Sequence, residues 1–117
     1  MTLLRCDYVS SGGHEVFLSI EDPGLEVLVA YARLRIDTAG ATVRELKVFG
    51  PMVRIHEAAH DRWQHRGFGR RLMQECERLA KDGFGARSVR VTAGVGVRGY
   101  YRNLGYELRA PYMVKPL

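Results

Sequence analysis

A glycine-broken turn beginning at Gln64, with the helix that follows it, is the stretch best suited to chemistry. Gly67 and Gly69 lack Cβ atoms, so a ligand can closely approach the main chain there. The first N–H groups of a helix have no acceptor within it, and the helix dipole makes that end positive. Nearby arginines add fixed positive charge suited to phosphate oxygens: Arg66, Arg70 and Arg71. The combination predicts an anion site, and an ordinary turn before a surface helix is the alternative.

The helix itself is predicted by its amphipathic pattern. Apolar residues recur at helical spacing and form one buried stripe: Leu72, Met73, Cys76, Leu79 and Ala80. Lys81 suits the negative end of the helix dipole, and Gly83 is the predicted left-handed stop. This arrangement places the glycine turn at the positive end of a helix that is anchored in the core.

Two further motifs are weaker candidates. His56-Glu57-Ala58-Ala59-His60 matches the H-E-x-x-H signature of zinc peptidases, but the space before the glycine turn allows barely two helical turns. A solvated connector is the simpler interpretation. The stretch from Gly94 to Gly99 matches G-x-G-x-x-G, but no acidic residue follows at the distance that a dinucleotide site requires.

Composition narrows the class of protein. The chain has 117 residues and a net charge of +5, which fits one globular domain and favours polyanionic partners such as a cofactor phosphate or a nucleic acid. No apolar run reaches membrane-spanning length, and we expect neither a signal peptide nor a membrane partner. Cys6 and Cys76 form no disulfide framework, which fits a reducing, cytoplasmic setting.

The remaining elements predict an α/β fold. Alternating residues predict strands over residues 15–21, 25–36 and 42–49, with turns at Asp22-Pro23-Gly24 and Asp37–Gly40, whereas residues 1–13 are expected to be a short segment ending in a turn. After the helix come a strand, a short helix and closing strands, predicted over residues 87–93, 97–104, 106–108 and 112–114. A strand–helix–strand unit needs a crossover, so the mostly antiparallel sheet should contain a central parallel pair.

The motifs resemble those of the GNAT acetyltransferase superfamily. Gln64 to Gly69 matches its pyrophosphate loop, Gln-x-x-Gly-x-Gly, and Tyr101 to Tyr106 matches its second signature. The likeness narrows to the C-terminal acetyltransferase domain of the Elongator catalytic subunit over several blocks: Arg44–Leu46, Gln64–Met73, Gly94–Leu108 and Pro111–Lys115.

The resemblance implies a GNAT fold that binds acetyl-CoA, with the usual N-terminal helix pair missing. It assigns the cofactor to Val48, Gln64, Arg66, Gly67, Phe68, Gly69, Arg70, Arg71 and Tyr100. Tyr101 occupies the position of the acid that protonates the departing thiolate. Glu45 is the candidate base, directly or through water. The alternatives are that Tyr100 and Tyr101 are core aromatics and that Glu45 is a surface charge facing a neighbouring arginine.

The same resemblance implies acetyl transfer to a lysine or amine, or turnover stimulated by tRNA. The radical-SAM half of the family is absent from this sequence, so a partner domain is expected. Lys47 and Phe49 replace the family's usual His and Tyr, and Gly99 often replaces an Asn. These departures favour an alternative function as a weakly catalytic or non-catalytic module that binds coenzyme A or tRNA. A zinc hydrolase using His56 and His60 is a third possibility.

Overall fold

The computed structural model describes residues 1–49 and 67–117. Its strands are β1 (Thr2–Ser10), β2 (Gly13–Asp22), β3 (Val27–Asp37), β4 (Gly40–Val48), β5 (Ser88–Thr92), β6 (Glu107–Arg109) and β7 (Tyr112–Pro116). Its helices are α1 (Phe68–Arg78) and α2 (Arg98–Asn103), with a π-helical turn at Leu79–Gly83 and a 3₁₀ turn at Val95–Val97.

One seven-stranded mixed sheet runs through the described residues in the order β1-β2-β3-β4-β5-β7-β6. Strands β1 to β4 form an antiparallel meander, β4 and β5 are parallel, and β5, β7 and β6 are again antiparallel. The predicted α/β fold with a central parallel pair is therefore confirmed.

The first strand was missed by the sequence pattern. The sequence predicts only a short segment and a turn over residues 1–13, yet β1 pairs with β2 along its whole length. The reason is that β1 is an edge strand whose side chains are mostly exposed on both faces, so it carries little period-two hydrophobic signal. The predicted turn is the hairpin loop, where Ser11 and Gly12 have φ of 48° and 75°.

The two faces of the sheet differ. On one face Val16, Leu18 and Ile20 are buried, and Leu72 and Met73 of α1 belong to the same core cluster. We call this the helix face. Alternating residues of the central strands point the other way and carry polar or aromatic groups: Phe17, Tyr31, Arg33, Arg35, Thr42 and Arg90. We call that side the open face.

The long helix ends later than predicted. Gly83 was the expected left-handed stop, but Leu79–Gly83 continues as a π-helical turn, and Gly85 is the residue with a positive φ, 68°. Two main-chain hydrogen bonds close this end, from Gly85 N–H to Lys81 and from Ala86 N–H to Ala80. Within the described ranges, no helix is both long and apolar enough to cross a membrane.

Candidate functional site

The site begins where the two central parallel strands separate. Their pairing covers only Ala41–Val43 and Val89–Val91. At that point the register between β3 and β4 shifts, so that Arg44 is an extra, bulged residue between Val43 and Glu45. Because a bulge bends its strand, β4 continues to Val48 beside β3 but without a partner in β5.

A cavity of about 740 Å³ occupies this opening. Its walls come from the free end of β4, the end of β5, the first turn of α1 and the exposed side of α2. They include Val43, Arg44, Glu45, Val48, Gly67, Gly69, Arg70, Thr92, Tyr100, Tyr101, Asn103 and Leu104. The opening between the strands therefore joins the predicted turn, strand and tyrosine pair in one cavity.

The first turn of α1 presents to this cavity amides that have no acceptor within the helix. Gly67 precedes the helix with φ 70° and ψ 32°, a left-handed conformation that glycine adopts without strain. The first helical hydrogen bond runs from the Arg71 N–H to the Gly67 carbonyl, 2.9 Å. The amides of residues 68–70 therefore have no acceptor within the helix, as an anion site requires.

Gly69 makes a close approach possible at the same place. A Cβ at this position would collide with the hydroxyl of Tyr100 and would lie 3.5 Å from the Val48 side chain. The three residues therefore meet across the cavity, although they come from α1, α2 and β4. Burial raises the pKa of Tyr100, so its hydroxyl is neutral at physiological pH.

Tyr101 is buried at the inner end of the cavity, with only 7% of its surface exposed. Its ring packs edge-on between the rings of Tyr100 and Tyr106, with centroid separations of 5.3 and 5.8 Å. Burial raises the pKa of its phenol to about 12. Such a group keeps its proton at neutral pH, as a general acid must before the reaction.

Glu45 also lines the cavity, but it has partners of its own. It accepts a hydrogen bond from the Tyr31 hydroxyl, and Arg33 Nε lies 3.0 Å from its Oε1. The Tyr31 hydrogen bond is the main cause of a lowered pKa for this carboxylate, and its side chain is 49% exposed. Glu45 is therefore ionised at neutral pH, but it is a weaker base than an unpaired glutamate.

The main-chain N–H of Val48 faces the opening between β4 and β5. The Phe49 N–H donates to the carbonyl of Val29 in β3, 2.8 Å. Because successive amides of a strand point to opposite edges, the Val48 N–H points toward the edge that β5 has left. A ligand lying between the strands can pair with it as another strand would.

The other predicted site residues fall into three groups. The Phe68 side chain is buried in the core, so only its amide can face a ligand. Arg71 is exposed on α1 and does not line the cavity. Gln64, Arg66 and the whole His56–His60 motif lie outside the described residues.

The sequence prediction missed several wall residues, notably Thr92 and Asn103. Asn103 could have been found, because it lies three residues after Tyr100 and shares its side of a helix. Thr92 could not, because nothing in a strand sequence shows where its parallel partner separates.

Comparison with known proteins identifies the family. Residues 13–108 match the model of the acetyltransferase (GNAT) domain. The chain is 46% identical over 125 aligned positions to the tRNA uridine(34) acetyltransferase of Methanocaldococcus infernus, and 45% identical over 125 to Elongator complex protein 3 of Danio rerio. Each alignment covers 98% of this chain but 23% of the relative, so the chain spans about a quarter of these proteins.

Solved structures agree on the fold. The archaeal Elp3 of M. infernus, with an N-terminal deletion, superposes with a TM-score of 0.87 at 44% identity, covering 99% of this chain and 30% of that one. The PaiA N-acetyltransferase of Thermoplasma acidophilum, solved in complex with coenzyme A, gives 0.64 at 20% identity, covering 88% and 61%, and supports the fold alone. The chain belongs to the GNAT acetyltransferase family.

Proposed function

We propose that the cavity between β4 and β5 holds acetyl-CoA and that this chain transfers or releases its acetyl group. The observation that carries the proposal is that one cavity, among the described residues, brings together four features. They are the first-turn amides of α1, a glycine without room for a side chain, the edge of β4 that β5 does not pair with, and a buried neutral tyrosine. GNAT domains as a family use acetyl-CoA, and the related PaiA structure contains coenzyme A.

The residues fit the successive parts of that cofactor. The amides of residues 68–70 supply donors for the pyrophosphate, and Arg70 in the cavity wall supplies positive charge. Arg71, exposed on the same turn outside the cavity wall, adds to that charge. The free edge of β4 at Val48 supplies a main-chain donor for the amides of the pantetheine arm. Gln64 and Arg66 are predicted to complete the pyrophosphate loop.

Tyr101 is the proposed general acid and Glu45 the proposed base. When bound, acetyl-CoA supplies an activated acetyl group and a thiolate leaving group. Tyr101 holds a proton at the buried end of the cavity, where its raised pKa keeps it protonated. Glu45, at the open side, can accept the proton of an incoming amine or water, directly or through a water molecule.

The acceptor is proposed to be RNA or an amine. The relative from M. infernus carries the name tRNA uridine(34) acetyltransferase, which favours a tRNA-linked reaction over transfer to a protein lysine. Since the chain spans about a quarter of that relative, the remaining part, expected to include a radical-SAM domain, is a proposed partner in the full reaction.

A matched pair of Gly67 variants tests the cofactor assignment. Asparagine tolerates the left-handed conformation of Gly67, so Gly67→Asn keeps the turn. Gly67→Arg instead adds a long side chain beside the first-turn amides, where the pyrophosphate is proposed to bind. Calorimetry should find acetyl-CoA binding retained within about tenfold for Gly67→Asn and lost for Gly67→Arg. Wild-type affinity in Gly67→Arg would overturn the assignment.

A binding module with little catalysis is the second candidate. It is favoured by the engagement of Glu45 with Tyr31 and Arg33, which leaves no unpaired carboxylate on β4. Release of free thiol from acetyl-CoA, measured with and without tRNA or a lysine peptide, separates the two functions. If the protein binds acetyl-CoA but releases no free thiol in any of these conditions, it is a binding module.

A further inference from the structure

A second cavity, of about 650 Å³, lies on the open face of the sheet. It is distinct from the cofactor cavity and is lined by residues from five strands, among them Arg35, Thr42, Arg44, Arg90, Thr92 and Tyr112. Nothing in the proposed cofactor site uses Arg35, Arg90 or Tyr112. Their chemistry is that of an anion site, because three of the six are arginines.

The charge balance of this cavity is positive. Asp37 is the one carboxylate in its wall, within the described residues, and it is paired with Arg35 at 2.9 Å. Glu15 lies beneath with only 6% of its side chain exposed, 3.2 Å from Arg35 and 3.4 Å from Arg44. Counting both carboxylates against Arg35, Arg44 and Arg90 leaves one net positive charge in a confined space.

Arg90 is the arginine best prepared to bind an anion. Its Nε donates to the Thr42 hydroxyl, 2.8 Å, and its guanidinium lies 4.9 Å from the centroid of the Tyr112 ring. The group is thus held in place, while its two outer nitrogens have no acceptor among residues 1–49 and 67–117. A guanidinium fixed in this way loses little conformational entropy when it grips a phosphate.

Arg35 and Arg44 have different roles. The Arg35 guanidinium donates hydrogen bonds to Glu15, to Asp37 and to the carbonyls of Ser10 and Ser11. It therefore adds positive charge to the cavity but has few N–H groups left to bind a ligand. Arg44 has one long contact with Glu15, and its side chain is 57% exposed. It can therefore turn toward a ligand together with Arg90.

The second cavity adjoins the first. Arg44 and Thr92 line both, because they stand where β4 and β5 separate. A ligand bound on the open face therefore lies next to the opening between the strands that the proposed cofactor cavity occupies.

We propose that the open-face cavity is the acceptor's entry site and that Arg90, with Arg44, binds a phosphate group of that acceptor. This inference rests on the proposed function and assigns a substrate subsite that the cofactor chemistry does not require. The phosphate can be a backbone phosphodiester of RNA or the phosphomonoester of a small substrate. A lysine-rich peptide does not fit, because its charge has the same sign as the cavity's.

The test is the binding of a short, labelled, uridine-rich single-stranded RNA, followed by fluorescence anisotropy at several salt concentrations without acetyl-CoA. Arg90→Gln should weaken binding about tenfold, through the lost charge-assisted hydrogen bonds. It should also reduce the slope of log K against log salt by about 0.7, the share of one phosphate contact to a single strand. Arg44→Gln should act in the same direction, and its exposed side chain makes misfolding no explanation.

Arg87→Gln is the matched control, since it removes the same charge from an exposed residue that lines neither cavity. It should leave both the affinity and the salt slope unchanged. Uridine monophosphate and uridine are then added as competitors. Competition by the monophosphate alone identifies a phosphomonoester as the ligand, whereas RNA binding that neither compound competes identifies a phosphodiester.

Wild-type RNA affinity and salt slope in both Arg90→Gln and Arg44→Gln would overturn the proposal, as would stronger binding of a lysine-rich peptide than of RNA. Calorimetry with acetyl-CoA on the same variants keeps the two proposals separate. If wild-type protein fails to bind acetyl-CoA, the cofactor assignment fails while the RNA measurements still decide the second cavity.

Discussion

The hydroxyl of Tyr100 lies where a side chain on Gly69 would have to stand. The two residues come from different helices, and their contact closes one side of the cavity at the positive end of α1. The absence of a side chain at Gly69 thus serves two purposes: it admits the tyrosine, and it leaves the amides of the first turn accessible.

Replacing Gly69 by alanine should weaken acetyl-CoA binding about tenfold. Tyr100 is part-exposed and can swing aside, and alanine favours a helix over glycine by about 1 kcal/mol, so the free energy of unfolding should not fall. Calorimetry and urea denaturation measure the two quantities. Adding Tyr100→Phe removes the colliding oxygen and should restore part of the affinity; an unchanged affinity in Gly69→Ala alone would show that no ligand approaches there.

Replacing Tyr101 by phenylalanine should lower kcat about 10²-fold while leaving the affinity for acetyl-CoA unchanged, because the phenol acts only in proton transfer. An acid works while protonated, and activity is lost as pH rises through its pKa. Since that pKa is about 12, the wild-type kcat should show no fall caused by Tyr101 across the neutral and mildly alkaline range. A fall there that disappears in Tyr101→Phe would contradict this role.

The Tyr31–Glu45 hydrogen bond should set the acidic side of the pH profile. A base works while ionised, so activity is lost as pH falls through the pKa of Glu45, which this hydrogen bond holds below its ordinary value. Tyr31→Phe should therefore move the loss of activity to higher pH. Tyr8→Phe is the control, because the Tyr8 hydroxyl contacts Arg33 rather than Glu45. Identical profiles for wild type and Tyr31→Phe would remove Glu45 from the reaction.

Glu77 should contribute more to the free energy of unfolding than Glu75, the other glutamate of α1. It accepts hydrogen bonds from the Tyr106 hydroxyl, 2.7 Å, and from Lys115 Nζ, 3.1 Å, and so ties the helix to β7. Glu77→Ala leaves a largely buried tyrosine without its acceptor and should lower the free energy of unfolding by about 2 kcal/mol. Glu75→Ala, which breaks an exposed pair with Arg78, should cost less than about 1 kcal/mol. Equal losses in urea denaturation would refute the distinction.

The sequence was informative where local rules act. Backbone freedom and burial are local properties, and three features that depend on them are found as predicted. They are the glycine turn at Gly67 and Gly69, the buried helical stripe through Leu72 and Met73, and the alternation in β2. The edge strand β1 was missed because exposed residues carry no burial pattern. The open-face cavity was missed because the bulge at Arg44 and the separation of β4 from β5 depend on pairing between distant strands.

We propose that the amides at the start of α1 bind the pyrophosphate of acetyl-CoA. The most direct test is a titration of ¹⁵N-labelled protein with coenzyme A, followed by amide chemical shifts. We predict saturable shifts that are largest at residues 67–70 and at Val48, and that vanish in Gly67→Arg. Saturable binding with its largest shifts on β1 or β6, or no binding at all, would contradict it.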